Sequence, residues 1–372
     1  MAEMISDSLT YTSLVNLMLQ QTRVTHTKIE VLNMSDNIVG EITGYCTDGS
    51  ISIDVSNMVR RTISATFVAD SKLEINQTSL LWINKRLKFY LGIEKYNGDI
   101  VWFNMGIFVL SNPETSVGLD GRTISIDGSD KMILFEQPFM DECIISANTP
   151  VHEAIKALAA LIDETKLLIE ETTYTVPYEI QVSATDDIDS TLKDIVNLYM
   201  NYHIYYNIDG YLVFEKTKNK LTDSVLWEFS GDKNLTISRS IVTDYDSIKN
   251  HIKVLGAVND DTGIQPKYEL KIEGVDNIFS IDNIRERRNC ISEDDYTTIE
   301  QCKLRCEYEM EQVQNMSRVF TIDTFPIYIL NDVNKVVVVE DNGQKYTCVL
   351  DSINIPFDAS SSMSITCHQI FE

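Results

Sequence analysis

Basic residues are scarce in this chain of 372 residues. Lysine and arginine total 31 against 56 aspartates and glutamates, a formal net charge of −25. That balance argues against a protein that wraps nucleic acid or lies on an anionic membrane, since both need a basic surface. No apolar stretch approaches the ~18 residues of a membrane span; Ala154–Ile162 is interrupted by Lys156. The N-terminus, Met1-Ala2-Glu3-Met4-Ile5-Ser6-Asp7, lacks the positive start and apolar run of a secretory signal. The seven cysteines are odd in number and scattered, unlike a disulfide framework. Synthesis and folding in a reducing cytoplasm are expected. What the chain does have is apolar mass. It is 44% hydrophobic, with 17 Tyr and 13 Phe, enough for several cores and too much for a disordered chain.

Catalytic signatures are missing as well. His152-Glu153 opens like a zinc-protease helix, but that motif needs a second histidine four residues on, and Lys156 stands there. His26, His203, His251 and His368 lack ligand spacing. Cys302 and Cys306 lie one helical turn apart, with no second pair to complete a metal site, so core packing is expected. There is no Gly-x-Ser-x-Gly elbow and no phosphate-binding glycine loop. Asp260-Asp261-Thr262-Gly263 lacks the alternating ligands of a calcium loop. Arg285/Arg287/Arg288 and Lys216/Lys218/Lys220 are local clusters among acids, read as solvated or subunit-contact charges, with nucleic-acid binding as the lesser alternative. No catalytic, cofactor-binding or metal residue is assigned, and a structural or binding role is favoured over an enzyme.

The pattern along the chain gives an α+β, mainly β, protein. Residues 1–26 carry an N-terminal helix, capped by Ser8, that is either a lid on its own core or an arm to a neighbour. From 27 to 140 the apolar period is two. Strands are expected at 28–32, 38–44, 50–55, 61–69, 86–93, 101–110 and 122–127. Asp48-Gly49, Asn97-Gly98, Asp120-Gly121 and Asp127-Gly128 punctuate them as hairpin turns. Residues 141–225 read as an α+β insert: a helix opened by Thr149-Pro150, a second after Asp186-Asp187-Ile188-Asp189, and a hairpin about Asp209-Gly210. Residues 226–372 read as a second β-domain interrupted by a helix over 293–316, with Ser292 as its cap. Both β-domains are expected to be tube-like antiparallel barrels.

The C-terminal run carries a resemblance. After the long helix come Val319-Phe320-Thr321-Ile322, Lys335–Val339, Tyr346–Pro356 and Ser361–Cys367. These resemble the second barrel of bacteriophage baseplate hub proteins, a family shared with tail-associated proteins, phage-like bacteriocins and contractile injection systems. Arg61–Asp70, Arg86–Ile93, Val101–Leu110 and Thr123–Asp130 look like its first barrel. The resemblance implies a structural virion protein of the tail baseplate, assembled in the bacterial host cytoplasm. It implies a homotrimer whose six β-domains surround a channel, joining a six-fold tail tube to a three-fold tip or spike. The implied partners are the tail tube or distal tail protein, the tail spike or tip protein and the tape measure protein. DNA would pass through the channel without specific binding, helped by an acidic lining. Many relatives continue into a peptidoglycan-cutting domain, whereas this chain stops at Glu372, so no enzymatic activity of its own is expected. The rival readings are a cell-wall or carbohydrate-active enzyme on a β-rich scaffold and a hexameric distal-tail adaptor.

Overall fold

The computed structural model describes residues 3–69, 73–119, 121–217, 220–259, 262–315 and 318–370. Asp70, Asp120, Lys218, Asp260, Asp261, Met316 and Glu372, which figure in the reading above, lie outside the described residues. The chain is mainly β with separate α+β parts, as the periodicity predicts.

Alternation explains the strands. Arg61–Val68 buries Ile63, Ala65 and Phe67 and exposes Thr62 and Ser64 between them. Strands of this kind join into one large sheet. Its path runs Thr236–Thr243, Arg318–Thr324, Met363–Gln369, Gln344–Pro356, Cys46–Asp54, Arg61–Val68, Gly121–Ser129, Ile100–Gly118, Arg86–Glu94, Thr25–Leu32, Ile38–Thr43. Two separate closed barrels were the expectation. Instead the N- and C-terminal halves pair directly, Ile53 opposite Ile353 and Ser52 opposite Asn354. Among the described residues the path does not close on itself. The reason is apolar continuity. One core holds Ile51, Phe67, Phe89 and Phe108 together with Tyr328, Ile353 and Met363. Phe103 meets the Tyr328 ring edge-on at 6.1 Å.

Two of the Asp-Gly pairs do not turn the chain. Gly49 lies inside Cys46–Asp54 and Gly128 inside Gly121–Ser129. At Gly49 a Cβ would stand 2.4 Å from the Phe357 ring and 2.6 Å from the Ser64 carbonyl oxygen. The glycine is there for close approach, not for a turn. Asn97-Gly98 does make the hairpin between Arg86–Glu94 and Ile100–Gly118, with Gly98 at φ +87°.

The N-terminal helix is Tyr11–Met18. Thr10, not Ser8, caps it, accepting from the Ser13 amide. It buries Leu17 and Met18 in the large core, and the Tyr11 hydroxyl donates to the Leu226 carbonyl at 2.9 Å. The helix thus packs on the core of its own chain.

Helices Val151–Leu161 and Ile188–Asn197 pack with the hairpin strands Tyr202–Tyr206 and Leu212–Lys216 around Ile155, Leu158, Leu192, Ile195 and Phe214. Thr149 does not cap the first of them; Pro150 sits at its N-cap with no side-chain bond. A third core is separate. His251–Leu255, Lys267–Lys271 and Arg288–Ser292 make their own three-stranded sheet, covered on one face by the helix Ile299–Asn315 through Cys302, Cys306 and Met310. These strands therefore do not enter the large sheet. The helix also starts later than expected, because Ser292 still belongs to a strand. Its true start is a capping box: Thr298 Oγ1 accepts from the Gln301 amide, and Gln301 Oε1 accepts from the Thr298 amide.

Candidate functional site

The residues singled out for chemistry do not converge. His152 Nδ1 accepts from the Thr172 amide, and Lys156 bonds Glu153 at 2.8 Å. Cys302 and Cys306 are buried against the sheet, with the Cys306 thiol directed at the Tyr268 carbonyl. Burial pushes that thiol up to about 11, the opposite of what a thiolate ligand needs. Each of the other histidines sits beside a carboxylate: His26 on Glu94, His203 on Glu215, His251 on Glu269 and Glu286, His368 on Asp351. Among the described residues no group of three or more His, Cys, Asp or Glu is placed to hold a metal ion. Arg287 donates to the Ile248 and Tyr245 carbonyls, Arg288 pairs with Glu286, and Lys220 pairs with Asp223.

What the fold does bring together is a surface. Across eight consecutive strands of the large sheet, from Thr236–Thr243 to Ile100–Gly118, one face is the core. The other is short and polar. Strand register aligns its side chains in cross-strand rows. The longest is Ser238, Asp323, Ser364, Asn354, Ser52, Thr62 and Ser129. Beside it run Ser240, Thr321, Thr366, Ser352 and Asp54. On the other side run Pro356, Ser50, Ser64, Asp127 and Ser111, then Asp48, Thr66, Ser125 and Glu114. These rows contain hydroxyls, one amide, one proline and five carboxylates, and no lysine or arginine. Neighbours bond laterally: Ser238 Oγ to Asp323 Oδ2 at 2.6 Å, Thr66 to Ser125 at 3.3 Å. Asp358, at the rim, is held down to about 2 by bonds from Ser360 and Ser361, so it stays charged. The face has only shallow hollows. One of about 250 Å³ is lined by Ser50, Ser52, Thr62, Ser64 and Asp127.

The two flanks of this eight-stranded span are open. Among the described residues Thr236–Thr243 pairs on one side only, with Arg318–Thr324. Ile100–Gly118 is 19 residues long, and Arg86–Glu94 covers it only as far as Val109. Beyond that point it pairs with Gly121–Ser129 alone among the described residues. Ile237, Val242 and Val117 stand exposed along these edges.

Buried ion pairs hold the surface in place. Arg61, 1% exposed, donates to the Asn331 and Met105 carbonyls and to the Asp332 carboxylate. Asp130 accepts from the Arg61 and Met132 amides, and burial lifts its carboxyl to about 6. A second cluster joins the sheet to the 141–225 segment. Asp36 bonds Arg86, Lys131 and Lys166, and Lys131 also reaches Glu164 and the Gly210 carbonyl. The three cations outweigh burial and hold Asp36 below the usual carboxylate range. Sequence reasoning missed both clusters and the rows. Alternating Ser/Thr in single strands was visible, but which residue faces which is a property of register.

No family model matches the chain, and no curated protein matches it. Solved structures do. A 43 kDa tail protein of prophage MuSo2 from Shewanella oneidensis is 13% identical, with a TM-score of 0.59 over 92% of this chain and 98% of that one. A tail protein from Neisseria meningitidis MC58 is 13% identical at TM-score 0.62, covering 93% and 97%. A Francisella PdpA–VgrG complex matches at 9% identity and TM-score 0.56, covering 94% of this chain and 53% of that one. The chain has the fold of bacteriophage tail proteins, the class its strand pattern resembles.

Proposed function

We propose that this chain is a structural tail-baseplate hub, a homotrimer whose short-side-chain sheet face lines an axial channel. The observation that carries the reading is the eight-stranded span, whose polar rows hold no lysine or arginine and whose two edges are unpaired among the described residues. All eight strands alternate in direction. The free edges therefore run opposite ways, and the edge of one subunit can pair antiparallel with the other edge of the next. A head-to-tail contact of this kind either closes a ring or makes a filament. Ring closure also removes the exposed edges, which would otherwise invite aggregation. Three copies give twenty-four strands. At about 4.8 Å per strand the ring is roughly 37 Å between opposite backbones, before strand tilt widens it.

The chemistry of the face suits a conduit. Serine and threonine side chains are short and keep the bore open. Without lysine or arginine there is no counterion release to drive binding of a nucleic acid. The five carboxylates repel phosphates within a screening length of about 8–10 Å. DNA is passed and not gripped. In this reading residues 27–140 and the large-sheet strands of 226–372 supply the ring. Residues 141–225 stand outside it, and 1–26 are an N-terminal segment closing the core. A tail tube or distal tail protein, a tip or spike protein and the tape measure protein are the partners. The role is non-enzymatic and belongs to the virion tail; host-cytoplasmic assembly is part of the same proposal.

Engineered cross-linking tests the edge contact. In a Cys290→Ser background, Ser240→Cys and Ser116→Cys place thiols on the two free edges. Oxidation is expected to give a covalent trimer on a denaturing gel. A covalent hexamer, or monomer alone at all concentrations, contradicts the reading.

A further inference from the structure

The three-stranded sheet under the helix Ile299–Asn315 has a second face, which nothing in the chain covers with a helix or strand among the described residues. Its register is explicit. Lys271 stands opposite His251 and His251 beside Arg288; Glu269 stands opposite Lys253 and Lys253 beside Cys290. Lys267 ends the same face. Four cations, Lys253, Lys267, Lys271 and Arg288, meet two carboxylates, Glu269 and Glu286. Glu269 is shared between Lys253 at 4.0 Å and Lys271 at 3.4 Å, while Arg288 is 75% exposed. The face keeps an excess of positive charge in a chain whose net charge is −25.

The same small unit carries the opposite sign elsewhere. Cys302, Cys306 and Met310 turn to the sheet. Glu300, Glu307 and Glu311 recur along one side of the helix, all exposed, beside Leu304, which is buried in the core of the 141–225 segment. The lone cation near them, Lys303, lies 3.9 Å from Glu307. Exposed Asp294 extends the acidic stripe into the preceding turn, where Asp295 bonds the Tyr178 hydroxyl of the same chain.

We propose that these two surfaces meet between neighbouring copies: the basic sheet face of one subunit docks on the acidic helix stripe of the next. Both surfaces lie on one small unit with a shared core and do not face each other within it, so a copy can satisfy its neighbour but not itself. Such a contact is heterologous, the type that builds rings. Charge complementarity of this kind fixes partner and register more than it adds affinity. A nucleic acid is the poorer occupant, because two of the four cations are already shared with Glu269 and the acidic stripe beside them repels phosphate. The proposal rests on the ring reading above and supplies a second contact outside the channel.

The test uses the full chain and two triple variants. One is Lys253→Glu/Lys271→Glu/Arg288→Glu; the other is Glu300→Lys/Glu307→Lys/Glu311→Lys. Sedimentation at low salt is expected to show each variant associating at least tenfold more weakly than the unmodified chain. An equimolar mixture of the two recovers association, since every contact between unlike copies is complementary. It cannot close a three-membered ring, because an odd ring forces one like pair. The combined six-fold variant recovers the trimer. If both triple variants form trimers as well as the unmodified chain, this contact is wrong and the ring stands. If the mixture associates while the unmodified chain never forms a trimer, the ring reading fails and the contact stands. If the sheet variant loses only binding to a duplex DNA oligonucleotide, the occupant is a nucleic acid and the proposal is overturned.

Discussion

Arg61 shows how much one residue can hold. It begins a strand whose outer side chains lie on the polar rows, yet its guanidinium is buried against Asn331, Met105 and Asp332, from the other half of the sheet and its own. Removing one partner of a buried pair leaves the other uncompensated. Arg61→Leu is expected to cost about 3–5 kcal/mol in urea unfolding; a loss below about 1 kcal/mol would show that this ion pair adds nothing to the strand pairing and apolar packing that join the two halves. Gly49→Ala, which drives a methyl group into the Phe357 ring, is expected to cost about 1–3 kcal/mol, read as a fall in Tm.

Two titratable groups, the half-buried His203 and the buried Asp130, oppose each other. Burial, with help from Arg60, lowers His203 to about 4. The unfolded chain takes up that proton near pH 6.5 and the folded chain refuses it, so stability present above pH 6.5 is lost as pH falls toward 4. Asp130 is raised to about 6. Its contribution is present below the ordinary aspartate value and is lost as pH rises through 6. His203→Gln removes the first effect and exposes the second. The variant is expected to gain about 1 kcal/mol between pH 7 and pH 5 in denaturant midpoints. A loss as steep as that of the unmodified chain would refute the assignment.

At the scale of elements, the sequence was legible wherever one local rule decided the structure. Period-two alternation located Arg61–Val68 and Arg86–Glu94 to within a residue. Asp-Gly misled at Asp48-Gly49 and Asp127-Gly128, since glycine also serves where a ring or a carbonyl comes close. The helix Ile299–Asn315 was placed early because Ser292 and its acids imitate a cap; the box actually formed is Thr298 with Gln301. Thr298→Ala is expected to cost about 1 kcal/mol, seen as faster amide exchange in the first turn of that helix, with the large sheet unchanged. Equal exchange in both would mean the cap contributes nothing.

The whole molecule was the least legible level. Nothing local states that Ser52 faces Asn354, or that Cys46–Asp54 joins Gln344–Pro356 across almost the length of the chain. The candidate surface exists only through that pairing: single strands offered scattered serines, and register assembled them into rows. The charge of −25 was readable at once, but its distribution was not. Carboxylates without cations lie on the rows, and a basic face lies on a separate sheet.

The central claim is a three-fold ring lined by the polar rows. The most direct measurement is a reconstruction of the assembled tail. The account expects three copies of this chain around the axis, with Ser52, Ser64, Ser125 and Ser364 pointing into the bore. Six copies, or those serines packed against another protein outside the channel, would contradict it.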